Sequence, residues 1–258
     1  MASESTGPSV GEPKITLHWL DRSRSHRILW LLEELNVPYQ LKLWKRGSDF
    51  FADPKLKEVH PLGKSPVIEV QSPGSEKPIV IAESAAIVEY IVDYYGQSMV
   101  PKRYKDGQEN QIGGETEEWL RYRQLMHYAE GSLMTLMMQA LVITRISAAP
   151  VPFFIKPITN GIASKVNNGY IWPNMKTHYT YLEKLLETSG GDWFCGKQLT
   201  GADILLSFPL LAGRGRSGMK PEDYPHVDAY ITRLQECDGY KRAVKKIEEL
   251  EGSFKASI

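Results

Sequence analysis

His60-Pro61-Leu62-Gly63-Lys64-Ser65-Pro66-Val67-Ile68, followed by Ile79-Val80-Ile81-Ala82-Glu83-Ser84-Ala85-Ala86-Ile87-Val88, decides how this chain is read. In the first stretch a proline opens a β run after a tight turn, where a cis peptide bond is best tolerated. A cis Ser65-Pro66 bond would leave the Ser65 main chain unpaired and turned outward, so that an extended peptide can add to it as a short strand. In the second stretch an apolar strand runs straight into a helix, with Glu83-Ser84 at the junction. The first N–H groups of a helix lack internal partners and carry partial positive charge, so they suit a carboxylate. The Ser84 hydroxyl adds a hydrogen bond there, and Glu83 can meet an ammonium group. A ligand with an α-carboxylate and an α-amine at one end of an extended body fits both stretches. A γ-glutamyl peptide has that form.

Upstream, Ile15-Thr16-Leu17-His18-Trp19-Leu20 alternates as a first strand. A polar turn, Asp21-Arg22-Ser23-Arg24-Ser25, leads into a helix with Ile28, Leu31, Leu32 and Leu35 on one face, and Asn36-Val37-Pro38 stops it. Tyr39, Leu41 and Leu43 alternate as a second strand, and this β-α-β unit implies a parallel pair. Val67 to Val70 is a third strand. The polar loop Gln71 to Pro78 returns the chain as an antiparallel fourth strand, Ile79 to Ala82. The helix from Glu83 runs to about Tyr95. The order β-α-β-β-β-α is that of a thioredoxin-like α/β domain over residues 14–96, behind a disordered tail at 1–13.

Residues 97–107 read as a linker, and 108–258 as an all-helical domain. Trp119, Tyr122, Met126, Ala129, Leu133 and Ala140 trace one long stripe. The proline-rich Ala149 to Pro157 breaks it. A second helix carries Tyr179, Leu182, Leu185 and Leu186 and ends at Gly190-Gly191. Two more follow near Pro225 to Glu236 and Gly239 to Leu250. Ahead of these two, Thr200 and Asp203 have capping-box spacing. That assigns Asp203 to structure and not to base catalysis.

The composition narrows the function. The 258 residues carry 42% hydrophobic and 24% charged side chains with zero net charge, and a pI near 7.0. Nothing in this balance argues for nucleic acid or an anionic membrane as a partner. Cys195 and Cys237 stand far apart without metal-ligand spacing, so no metal is expected, and the thiols suit a reducing, cytoplasmic setting. Residues 1–12 have no apolar core of the kind a secretion signal needs. The apolar stretch Leu141 to Ala163 is interrupted by Arg145, Lys156 and three prolines, so no membrane span is expected. Peripheral contact of that stretch with a membrane stays open.

The first stretch resembles the Asn-Pro-x-Gly-Lys-Val-Pro turn of the cytosolic glutathione transferases, with His60 for the usual asparagine and Ser65 for the usual valine. Glu83-Ser84-Ala85-Ala86-Ile87 is similar to their Glu-Ser-x-Ala-Ile helix start. The Leu17 to Arg24 segment and Trp30-Leu31-Leu32 look like the fungal branch of the family. The resemblance spans about residues 14–251. It implies glutathione as co-substrate, a hydrophobic electrophile as second substrate and a homodimer. It also implies binding roles for Lys64, Ser65, Pro66, Glu83 and Ser84. Ser65 would act through its backbone, which makes its own side chain a minor matter. Lys64 would reach the glycyl carboxylate, unless it is only a solvated lysine.

A glutathione enzyme must ionise a thiol whose free pKa lies near 8.5. Lowering it by about two units takes roughly 2.7 kcal/mol. One hydroxyl and the positive end of a helix supply that order of energy. The family places a Tyr, Ser or Cys for this in the turn after the first strand. Only Ser23 and Ser25 qualify here, with Ser23 favoured because it precedes the helix proper and Ser25 better suited to be a plain cap. Tyr122 and Met126 are candidates for the electrophile pocket, though such a stripe also makes ordinary core. The resulting expectation is a serine-type transferase, with peroxidase activity as a companion. The alternatives are a glutathione-dependent isomerase or conjugating enzyme of fungal secondary metabolism, and a non-catalytic glutathione-binding module. A thioredoxin-type reductase would need a cysteine in the first half, and there is none.

Overall fold

Alternating apolar residues put Lys14–Leu20 at the centre of a four-stranded sheet, as strand β1. The computed structural model describes residues 11–214 and 219–254. Most of the expected N-terminal tail therefore lies outside the described residues. The order after β1 is α1 (Ser25–Glu34), β2 (Tyr39–Trp44), α2 (Leu56–Val59), β3 (Val67–Gln71), β4 (Ile79–Ala82) and α3 (Ser84–Tyr95). The sheet order is β2-β1-β3-β4. β1 and β2 run parallel, while β3 is antiparallel to both β1 and β4. This is the thioredoxin-like arrangement that the strand and helix order implied.

The described residues up to Val100, with those from Leu234 to Phe254, form one compact unit, and the described residues between Pro101 and Arg233 form the other. The last helix, α10 (Asp238–Glu251), falls in the unit that carries the sheet. It packs on α1. That explains why Ile28, Leu29, Trp30, Leu31 and Leu32 are all fully buried, when periodicity predicted one buried face. Gly239 makes the close approach possible: a Cβ there would stand 2.3 Å from Glu34 Oε2 and 2.6 Å from Glu34 Cα. Lys246 Nζ donates to Glu33 Oε1 at 3.1 Å and to the Tyr39 hydroxyl at 2.8 Å. Arg242 adds a bond to the Glu33 carbonyl.

The second unit is helical: α4 (Glu117–Tyr128), α5 (Thr135–Ser147), α6 (Lys156–Val166), α7 (Trp172–Glu187), α8 (Gly201–Gly213) and α9 (Pro225–Glu236). Short π-helical turns, Ala129–Met134 and Asn167–Ile171, join α4 to α5 and α6 to α7. α8 is buried almost throughout. Thr200 and Asp203 form the reciprocal capping box at its start. The wholly buried Asp203 carboxylate also accepts from the Phe194 N–H at 3.3 Å and the Tyr230 hydroxyl at 3.0 Å. Burial pushes its pKa up and these donors oppose the shift. Every lone-pair direction is occupied, so the group closes a helix start and ties α9 to it. No helix among the described residues is long and apolar enough to cross a membrane.

Candidate active site

The strand registers bring three loops to one end of the sheet. His18 on β1 pairs with Val67, and Val67 pairs with Ala82. β1 ends, β3 begins and β4 ends along that row. The β1–α1 turn with Ser23, the Ser65-Pro66 bond before β3 and the Glu83-Ser84 junction after β4 therefore all leave the same edge. Residues more than sixty positions apart in sequence meet because β3 is antiparallel to both its neighbours.

In the first loop, two hydroxyls converge on one carbonyl. Ser23 Oγ lies 2.8 Å and Ser25 Oγ 3.1 Å from the Leu20 carbonyl oxygen, and the two hydroxyls are 2.7 Å apart. The Leu20 N–H donates to Ser25 Oγ at 3.1 Å, and the Ser25 N–H donates to Ser23 Oγ at 3.2 Å. Ser25 is sealed at 0% exposure, whereas Ser23 retains 9%. Ser25 does not cap α1 forward; it bonds back to the strand it follows. If Ser25 gives its proton to the Leu20 carbonyl, that acceptor stays satisfied when the Ser23 proton points elsewhere.

Arg46 holds this turn in shape. Its N–H donates to Asp21 Oδ1 at 2.9 Å, its Nε to the Asp21 carbonyl at 3.2 Å and its Nη2 to the Arg22 carbonyl at 3.3 Å. Nη1 reaches the Phe50 carbonyl at 2.8 Å. Arg22 adopts a left-handed backbone, φ +46°, a conformation uncommon for this residue type that the brace sustains. Burial and the neighbouring Arg22 and Arg24 pull the Arg46 pKa down, and Asp21 counters them. Arg22, Arg24 and Arg46 are close enough to act on one another's charge, and Asp21 offsets part of it: its carboxylate accepts from Arg22 Nε at 3.1 Å. A loop arginine carries no sequence pattern that announces carbonyls as its partners.

The Ser65-Pro66 bond is cis. Neither the N–H nor the C=O of Ser65 has a backbone partner among the described residues. Its side chain is engaged, however: Ser65 Oγ donates to the His18 carbonyl at 2.7 Å. The hydroxyl thus pins the loop to β1. His18 is buried below it. Its Nδ1 accepts from Trp44 Nε1–H at 3.1 Å, and its Nε2 lies 3.2 Å from Glu69 Oε2. Burial lowers the His18 pKa while Glu69 opposes. The Trp44 bond places the ring proton of the neutral form on Nε2. Lys64 is exposed and has no ion pair among the described residues.

At the third loop Glu83 is exposed with φ +70° and ψ 121°, and no side chain caps the N-terminus of α3. Ser84 is buried as the first helical residue, and its hydroxyl has no protein partner among the described residues. An uncapped start of a 12-residue helix, with a hydroxyl in its first turn, can receive a carboxylate. Tyr122 and Met126 are on α4 in the second unit, at 3% and 1% exposure. Among the described residues no three His, Cys, Asp or Glu side chains are grouped to hold a metal ion.

Residues 22–93 match the model of the glutathione S-transferase N-terminal domain, and residues 154–245 that of its C-terminal domain. The chain is 33% identical to glutathione S-transferase 1 of Saccharomyces cerevisiae, over 94% of this chain and 99% of that protein. A solved glutathione S-transferase from Actinobacillus pleuropneumoniae is 32% identical, with a TM-score of 0.63 over 90% of this chain and 92% of its own. A glutathione transferase homolog from Lodderomyces elongisporus, solved with two glutathione molecules per subunit, shares the fold. Its TM-score is 0.64 at 18% identity, over 89% of this chain and 97% of its own.

Proposed function

This chain belongs to the glutathione S-transferase family, and from that premise we propose that its Ser23 hydroxyl steadies the glutathione thiolate for attack on an apolar electrophile. The observation that carries the proposal is the pairing of Ser23 and Ser25 over the Leu20 carbonyl. Ser25 keeps the carbonyl satisfied, so Ser23 can turn its proton to the sulfur without stranding a buried acceptor. The thiol proton leaves to solvent. The sulfur anion then accepts one hydrogen bond in the field of Arg22, Arg24 and Arg46. Roughly 2.7 kcal/mol of preference for the anion moves a thiol by two pKa units, and a charge-assisted hydrogen bond with a local cation field is of that order.

The remaining contacts position the tripeptide. The free Ser65 main chain pairs with the cysteinyl unit beside Pro66. The α3 N-terminus and the Ser84 hydroxyl take the γ-glutamyl carboxylate, and Glu83 takes its ammonium. Lys64 takes the glycyl carboxylate. The same thiolate can attack the terminal oxygen of an organic hydroperoxide and release the alcohol; a second glutathione then resolves the sulfenic acid to the disulfide and water. We assign the chain to the cytoplasm and to a homodimer, which sedimentation analysis checks.

Retention on immobilised glutathione, followed by assays with an activated aryl halide and with cumene hydroperoxide, tests the proposal. Retention with turnover supports it. Retention without turnover on either substrate would favour a glutathione-binding module, and no retention at saturating protein would overturn both readings.

A further inference from the structure

The chain is neutral overall, with 31 basic and 31 acidic side chains, but its charge is unevenly spread. Between Glu130 and Glu183 there is no carboxylate at all, while Arg145, Lys156, Lys165 and Lys176 fall inside that span. It builds α5, the proline-rich turn after it, α6 and the first half of α7. The same span concentrates exposed apolar side chains. Val142 and Ile146 lie on α5, Phe153 and Phe154 at the turn, and Ile158 and Ile162 one helical turn apart on α6. Phe153 is 85% exposed and Phe154 64%. Their rings meet edge to face at 5.6 Å, so they form one protruding aromatic tip. Lys156 and Lys165 are exposed on α6, and neither has an ion pair among the described residues.

We propose that the tip of the α5–α6 hairpin is a docking surface for an anionic lipid bilayer. Phe153 and Phe154 enter the boundary between headgroups and acyl chains, and Lys156 and Lys165 meet the lipid phosphates. Charge selects this occupant. A second copy of the chain docking through the same patch would make a two-fold contact. It would set these cations against one another with no carboxylate in the span to offset them. A nucleic acid would use the lysines but leave Ile158, Ile162 and the phenylalanines without a partner. A bilayer with anionic headgroups serves both chemistries at once. α6 is 11 residues long, or about 16 Å at 1.5 Å per residue, which suits a helix lying at an interface and not one crossing it. The proposal is independent of the glutathione site.

Flotation of the full-length protein with phosphatidylcholine vesicles, and with vesicles that also contain phosphatidylserine, tests it. The protein should float with the anionic vesicles, stay behind with the neutral ones and be released progressively by salt. The Phe153→Glu/Phe154→Glu double variant should lose binding at least tenfold while keeping the wild-type melting temperature. Lys156→Ala and Lys165→Ala should each weaken binding about fivefold, the equivalent of about 1 kcal/mol per lysine near a charged surface. Failure to float with phosphatidylserine vesicles would overturn the proposal. So would equal flotation of wild type and double variant. A double variant that sediments as a monomer where the wild type is a dimer would also overturn it, by showing that the tip joins copies of the chain.

Discussion

Two serines and one carbonyl form the smallest unit on which the proposed chemistry depends. Ser25 is buried and satisfies Leu20 in both directions, while Ser23 keeps the exposure a reactive partner needs. A third hydroxyl, on Ser65, fixes the main chain that is expected to pair with glutathione. Ser65→Ala should therefore raise KM for glutathione about three- to tenfold at unchanged kcat, the range set by one hydrogen bond; Ser65→Thr should restore it. Equal losses in both constants would assign the serine to something other than positioning. His26, next to that turn, packs between the rings of Tyr240 and Phe254 and finds no hydrogen-bond partner for either nitrogen among the described residues. Burial lowers its pKa to about 3. An unfolded histidine titrates near 6.5. Its neutral form thus contributes stability that is complete above about pH 6.5 and is lost as pH falls toward 3. Denaturant titrations of the wild type and of His26→Leu should diverge in that window, by up to roughly 1.4 kcal/mol per pH unit. Parallel curves would contradict the assignment.

The helices and strands of the first unit were legible where local chemistry is decisive. Asn36, now in a left-handed turn with φ +52°, does end α1 as the Asn36-Val37-Pro38 sequence indicates. The antiparallel return of β4 follows from its polar loop, and α9 occupies the predicted residues. What the sequence could not reveal is where amphipathic helices dock. α10 reads as one more surface helix, yet it covers α1; the signal in hindsight was the unbroken apolar run Ile28 to Leu32, too apolar for a one-faced helix. The site showed the same division. Lys64, Ser65, Glu83 and Ser84 stand on short motifs and were visible, whereas Arg46 braces carbonyls across a loop and the Ser65–His18 bond links positions far apart in sequence. Gly239→Ala tests the α10 contact. A Cβ there meets the Glu34 backbone and not a mobile side-chain tip alone, so the variant should lose about 1–3 kcal/mol of stability. An unchanged denaturation midpoint would mean that α10 is loosely held.

Across the whole molecule, the proposed chemistry concentrates at one end of the sheet. Buried Cys195 and partly exposed Cys237 lie outside the thioredoxin-like strands, and burial pushes the Cys195 thiol up. The anion that drives the proposed chemistry must then come from the ligand, and the chain must lower that ligand's pKa. The central claim is tested most directly by titrating the glutathione thiol in its binary complex, followed by thiolate ultraviolet absorbance, for wild type, Ser23→Ala and Ser25→Ala. Wild-type protein should hold the thiol about two units below its free value near 8.5. Ser23→Ala should raise the bound value by about one unit or more, the order expected when one hydrogen bond to an anion is lost. A Ser23→Ala complex that titrates at the wild-type pKa would contradict the account.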